Sequence, residues 1–204
     1  MDLRGASALC GCVAALLSWG APLRAESPAA LTVRIYNPAG VPSPLVVAAR
    51  EAAEPILRDA GLRVAFRYCG ARFADVSAAV DSCNEALKPG EVIVRIIDTP
   101  LPNPTLSPLA YGNSHIVKRT DNGLLATVFA DRVIAGASRV GLEQQTLLGL
   151  VLAHEVGHLL LGEAHADAGL MRAQWPDADL NPTASNWRFT PDEAATLQER
   201  IQER

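Results

Sequence analysis

Residues 150–171 read LVLAHEVGHLLLGEAHADAGLM, and the fold and chemistry of the chain turn on this stretch. It carries three of the four histidines: His154, His158 and His165. On an α-helix, positions 154 and 158 lie one turn and about 40° apart, so both imidazoles can face one ion. Glu155 lies about 100° round from His154, too far to be a natural third ligand. It is placed instead to reach a water on that ion. The surrounding positions are apolar nearly all round, from Leu147 and Leu148 through Val151, Val156 and Leu161. Such a helix, expected over 141–162, is buried rather than surface-lying. A carboxylate and two imidazoles inside it are costly unless they are paired or hold an ion. Gly157 weakens a helix by about 1 kcal/mol relative to alanine, which close packing beside the histidine face would explain.

His-Glu-x-x-His on one buried helix is the arrangement that zinc-assisted hydrolysis needs. Two neutral imidazoles hold Zn2+, the ion acidifies a water, and the carboxylate takes its proton. A catalytic zinc usually has three protein ligands and one open position. His165 is the nearest third candidate, with Glu163 and Asp167 as competitors. Gly162 can take a left-handed conformation that ends the helix and turns the chain back. The three residues to His165 then span up to about 10 Å, enough to return to the ion.

On these residues the chain resembles the metzincins, a clan of zinc metalloproteases with the motif His-Glu-x-x-His-x-x-Gly-x-x-His and a methionine turn beneath the metal. His154, Glu155, His158, Gly162 and His165 take those places, and Met171 in GLM takes that of the turn. The match departs at one point: three residues, Leu159 to Leu161, stand before Gly162 where the family has two. The extra residue advances the helix exit by about 1.5 Å and swings it by about 100°. The resemblance covers residues 150–171, and elsewhere it is a matter of element order. It implies a peptide substrate lying extended along an edge strand above the zinc. Some metzincins place a tyrosine next to the methionine. Arg172 and Ala173 stand there in this chain, and Tyr111 is a substitute to consider.

Outward from the motif, LTVRIYN (31–37) alternates as a half-buried strand does, and residues 44–61 read as a helix ending on Gly61. Pro55 inside it is expected to kink or split that helix. Residues 62–69 alternate again, so strand, helix and strand form a crossover unit with parallel strands. Residues 74–90 read as loop with a short helix. A third strand follows over 91–98. Four prolines make 99–108 irregular surface chain. Residues 111–119 are readable as a short strand. After the hairpin signal DNG comes a strand over 124–133, antiparallel to its neighbour. At the C-terminus Thr190, Pro191 and Glu193 form the signature of a capped helix start. The expectation is an α+β fold of the zincin or metzincin kind: a mixed β-sheet, three main helices, a buried motif helix and a C-terminal helix.

The 204 residues suit one domain, and 49% apolar content supplies a core. A net charge of −4 with no basic run gives no reason to expect nucleic acid or an anionic membrane surface. Residues 1–25 read as a secretory signal peptide: Arg4 near the start, an apolar run to Trp19, and Ala25 before the cut. The run is shorter than the roughly 20 residues of a spanning helix. Residues 26–204 are then one metalloprotease-like catalytic domain, exported to a periplasmic or extracellular space, with no membrane span left after cleavage. Export removes Cys10 and Cys12 and leaves Cys69 and Cys83 as a disulfide pair in an oxidising compartment, worth about 3 kcal/mol.

Two other readings stand beside the peptidase. In one, Glu193, 35 residues past His158, is the third ligand of a different zinc hydrolase. In the other, His115 closes a four-ligand zinc site in an exported structural or interaction domain without catalysis.

Overall fold

The computed structural model describes residues 30–70, 73, 83–100, 107, 109–117, 122–180 and 187–204. The expected signal peptide and most of the segment between the cysteines lie outside them. Five strands form one mixed sheet: β1 (Ala30–Tyr36), β2 (Arg63–Cys69), β3 (Glu91–Ile97), β4 (Gly112–Val117) and β5 (Asn122–Phe129). Their spatial order is β2-β1-β3-β5-β4. β1 pairs parallel with β2 and β3, and β3 pairs parallel with β5. β4 is antiparallel to β5 and forms one edge of the sheet. The expected crossover β1–α1–β2 is therefore present, and so is the hairpin. The fold is α+β, with α1 (Ser43–Asp59), α2 (Ala130–Val140), α3 (Gln144–Leu161) and α4 (Pro191–Gln202).

Three expectations need correction. The helix expected to kink or split at Pro55 is not split and runs from Ser43 to Asp59. Proline there frees the carbonyl of Glu51, one turn earlier, and Glu51 is exposed to water that can satisfy it. The strand expected over 124–133 stops at Phe129, and residues 130–140 form α2, so the described residues hold four α-helices where three main helices were expected. Gly141, read as the start of the motif helix, instead closes α2 in a left-handed conformation (φ 68°).

One sheet face carries Leu31, Val33, Ile35, Val92, Val94, Ile96, Ala126 and Val128, all within 1% of complete burial against the helices. α1 packs along α3, and the approach is close because Gly149 of α3 has no side chain. A Cβ there would stand 2.6 Å from the Ala49 carbonyl oxygen and from the Ala52 methyl. α3 itself is buried from Leu147 to Leu160, as its all-round apolarity requires.

The opposite face carries a buried ionic cluster beside the disulfide. Cys69 and Cys83 are bonded, as expected from their pairing. Arg34, 1% exposed, donates to the carbonyls of Glu85 (2.7 Å) and Ala86 (3.2 Å) and pairs with Glu91. Arg67 reaches the same carboxylate at 3.2 Å. Burial alone would raise the Glu91 pKa, but the Lys88 N–H and the two guanidiniums outweigh it and hold it below the usual range. A carboxyl with a depressed folded-state pKa contributes stability that is complete above its unfolded value of about 4.3 and is lost as pH falls through the folded value. Glu91→Gln is therefore expected to flatten the acid limb of a stability–pH curve. It should also cost roughly 3 kcal/mol at neutral pH, because Arg34 loses its buried counter-charge. Urea midpoints from pH 3 to 7 check both.

Candidate metal centre and cleft

His154 and His158 leave the same face of α3, and their rings meet edge to face with centroids 4.6 Å apart. His154 Nδ1 lies 2.9 Å from the Leu170 carbonyl oxygen, and His158 Nδ1 lies 2.8 Å from that of Gly162. A carbonyl can only accept, so each Nδ1 carries the proton and each Nε2 presents a lone pair. Those lone pairs converge: the two Nε2 atoms are 3.0 Å apart, and His165 Nε2 lies 3.2 Å from that of His158. Two proton-free nitrogens at that distance repel unless a cation sits among them. Three nitrogens tetrahedrally placed about 2.0–2.1 Å from zinc would be about 3.3 Å apart, so the tripod fits such an ion. Among the described residues, these three histidines are the one group of three or more metal-type ligands close enough to share an ion.

Burial keeps the tripod neutral. It pushes the His154 pKa from 6.5 to about 3, with His158 adding to the effect, and it lowers His158 and His165 in the same direction. Neutral imidazole is the form that binds a metal. Glu155, 3% exposed, moves the other way: burial raises its carboxyl to about 8, and a bond from Ser114 offsets only part of this. A bound cation would pull that value back down.

The helix exit accommodates the extra leucine through Gly162. It ends α3, its N–H bonding the His158 carbonyl at 2.9 Å, but not in the expected left-handed helical conformation. Its φ of 96° with ψ of −166° is an extended region open essentially to glycine alone. The chain then runs back in a segment whose Ala166 N–H bonds the Met171 carbonyl at 2.9 Å, and this brings His165 to the tripod. Met171 is buried against Gly157 of α3: a Cβ on Gly157 would stand 2.6 Å from its sulfur and 2.8 Å from the Phe189 ring. Close packing is thus the reason for Gly157. The preceding carbonyl, that of Leu170, accepts from both His154 Nδ1 and Trp175 Nε1 (3.1 Å).

Several candidates stand apart from the tripod. Glu193 accepts from the Thr190 N–H at 2.7 Å, completes the α4 capping box and stands outside the histidine group. His115 is exposed on β4, where strand alternation sends it to the face opposite Ser114. It does not close a four-ligand site. Glu163 and Asp167 are exposed and outside the group. Tyr111 lies in the same cleft, with its hydroxyl turned over Gly136 of α2.

Sequence reasoning missed what holds Glu155. Ser114 Oγ lies 2.7 Å from Glu155 Oε2, and the other carboxylate oxygen sits where a Cβ on Gly112 would be. A glycine inside a strand does signal a close approach, but not by what. The histidines and Glu155 line a cleft of about 1000 Å³ between β4, α2, α3 and residues 172–177. No helix among the described residues is long and apolar enough to cross a membrane.

No protein-family model matches the sequence, and no curated protein matches it. Solved structures do share its fold. An archaemetzincin from Methanopyrus kandleri superposes with a TM-score of 0.53 at 15% identity, over 87% of this chain and 99% of that one. Metalloproteinase-II from Bacteroides fragilis superposes with a TM-score of 0.52 at 17% identity, over 88% of this chain and 55% of that one. At such identities the likeness is one of fold. It agrees with the mixed sheet, buried motif helix and C-terminal helix expected from the sequence.

Proposed function

We propose that the protein is a zinc metallopeptidase in which His154, His158 and His165 hold the metal and Glu155 is the general base. The observation that carries this is the convergence of three imidazole Nε2 atoms, 3.0 and 3.2 Å apart, beside a buried carboxylate in an open cleft. Names of solved proteins with this fold, an archaemetzincin and a metalloproteinase, support the same reading. When bound, zinc lowers the pKa of a coordinated water toward 7 and polarises the substrate carbonyl. Glu155 accepts the proton of the attacking water and hands it to the leaving amine nitrogen. Ser114 and Gly112 hold the carboxylate in place for both transfers. Among the described residues β4 has no strand on its outer side, so it offers backbone groups to an extended peptide, and its Ser114 reaches Glu155. The substrate is accordingly a peptide or protein chain. In this reading Met171 takes the place of the methionine turn and packs on Gly157, between His154 and His158 in the α3 sequence.

The signal-like leader and the disulfide support export to the periplasm or the medium. Residues 26–204 serve as a single catalytic domain.

Zinc stoichiometry on the mature protein, paired with digestion of a peptide library, tests the reading. One zinc per chain with cleavage is expected, and a metal-free, inert protein would overturn it. Gly112→Ala gives a second test. Its methyl would collide with the Glu155 carboxylate and stand 2.7 Å from the Thr127 carbonyl oxygen. A base displaced by about 1 Å costs on the order of 100-fold in rate. We expect that fall in kcat with zinc content unchanged, read by peptide cleavage and metal analysis.

A further inference from the structure

The two motif histidines have acceptors of different kinds. His158 bonds the Gly162 carbonyl four residues on, at the end of its own helix. His154 bonds the Leu170 carbonyl, 16 residues on and outside the helices and strands of the fold. That acceptor has to be fixed by other contacts. The Leu170 N–H bonds the Arg188 carbonyl at 2.8 Å. The Leu170 oxygen has two lone pairs, and its second donor is Trp175 Nε1 at 3.1 Å. Trp175 lines the cleft and is only partly buried, yet its N–H turns inward to this carbonyl. The indole also touches the ligand itself. Its ring stands edge to face with His154, with centroids 5.3 Å apart and planes at 89°. The His158 ring meets His154 in the same way at 4.6 Å. Two rings at right angles to the His154 imidazole restrict its turning. Trp175 is held in its turn by Trp187 and Tyr111, with centroids 5.6 and 6.2 Å away.

We propose that Trp175 is a positioning residue for the metal: by holding the Leu170 carbonyl and bracing the imidazole, it keeps His154 Nε2 aimed at the site and sets how tightly zinc is retained. This rests on the reading of the three histidines as zinc ligands. A histidine whose outer partner is fixed keeps one tautomer, with the proton on Nδ1, and one ring orientation. It then loses less freedom when the metal binds. Trp175→Phe keeps an aromatic ring against His154 and removes the N–H. The Leu170 carbonyl is left with one donor of its two and can move with the return segment.

The test is zinc affinity of the full chain, measured by competition with a chromogenic chelator, in wild type, Trp175→Phe and Trp187→Phe. Outer partners of metal ligands are worth about 10–100-fold in affinity, and Trp175 acts one bond further out, so a loss of about tenfold is expected. Trp187→Phe keeps a ring against Trp175 and leaves the Leu170 carbonyl with both donors, so its affinity should stay within about twofold of wild type. A lower metal-free melting temperature of Trp175→Phe with unchanged zinc affinity would mark a merely structural residue and overturn the proposal. Equal losses in the two variants overturn it as well, because general packing would then set the affinity. The wild type gives a readout that needs no folded Trp175 variant. The Trp175 indole N–H resonance, assigned as the one that persists in Trp187→Phe, is expected to shift when zinc is added. A resonance that ignores zinc counts against the proposal in the same way. If Trp175→Phe loses zinc affinity but the wild type cleaves no peptide, the role of Trp175 stands and the peptidase reading fails. Zinc binding and cleavage with no effect of Trp175→Phe leave the peptidase standing and remove this role. A wild type that binds no zinc removes both.

Discussion

Glu155→Gln is expected to lower peptide hydrolysis by about 10²–10⁴-fold while one zinc per chain remains bound. Glutamine has the shape of glutamate, and its amide oxygen can still accept from Ser114 at the position of Oε2. It cannot take a proton from water, so the loss falls on the chemical step and kcat drops with little change in KM. Zinc should stay because the supports of the tripod do not include Glu155. His154 and His158 are held by the carbonyls of Leu170 and Gly162. The metal-free protein gives a second readout. There the folded-state pKa of Glu155 is raised to about 8, so its ionisation opposes folding once pH exceeds the unfolded value of about 4.3. The neutral amide removes that opposition. Metal-free Glu155→Gln should therefore melt higher than metal-free wild type at pH 7, and the difference should vanish near pH 4. Retained zinc with unchanged cleavage would show that another group is the base. Lost zinc would show that Glu155 helps to hold the metal.

What the sequence revealed and what it hid divide along the range of the interactions. The motif helix was legible because its information is local. The one-turn spacing of His154 and His158, the apolar surround and the terminal glycine all lie within 22 residues. The α4 start was legible for the same reason: Thr190, Pro191 and Glu193 make a capping box within one turn. α2 was not legible. It starts at Ala130 directly out of β5, with Phe129 as an uncapped first residue and no breaker between them. Residues 124–133 therefore read as one strand. Gly141 was a true stop signal assigned to the wrong helix, because a glycine between two helical patterns does not say which one it serves.

The parts of the site beyond the motif helix depend on distant contacts. Ser114 and Gly112 meet Glu155 across 41 and 43 positions, as β4 comes to lie over α3. The hairpin was expected, but the face of β4 that meets α3 is set by register and by the irregularity at His115/Ile116. Sequence also left the role of His165 open, since one extra leucine swings the helix exit by about 100°. A backbone conformation settles how the chain returns: Gly162 adopts a φ and ψ that other residues avoid.

His158→Ala is the variant expected to remove zinc most completely. Its Nε2 is the central member of the tripod, 3.0 Å from one partner and 3.2 Å from the other. Without it, His154 and His165 remain with a gap where the middle ligand stood. Loss of a supporting partner of a metal ligand costs about 10–100-fold in affinity, and loss of a ligand itself should exceed that range. Zinc that binds only the folded state also stabilises it, by about 4 kcal/mol when present at 1,000 times its dissociation constant. Added zinc should thus raise the melting temperature of the wild type and leave that of His158→Ala unmoved. His115→Ala is the control: it lies on the opposite face of β4 and should keep the full zinc-induced shift. His165→Ala addresses the extra leucine directly. If the Gly162 turn delivers His165 as the third ligand, this exposed residue behaves like His158 in zinc affinity, although it contributes far less to the core. If His165→Ala keeps the full shift while His158→Ala loses it, the third ligand lies elsewhere. The approach of the two Nε2 atoms would then be proximity without coordination.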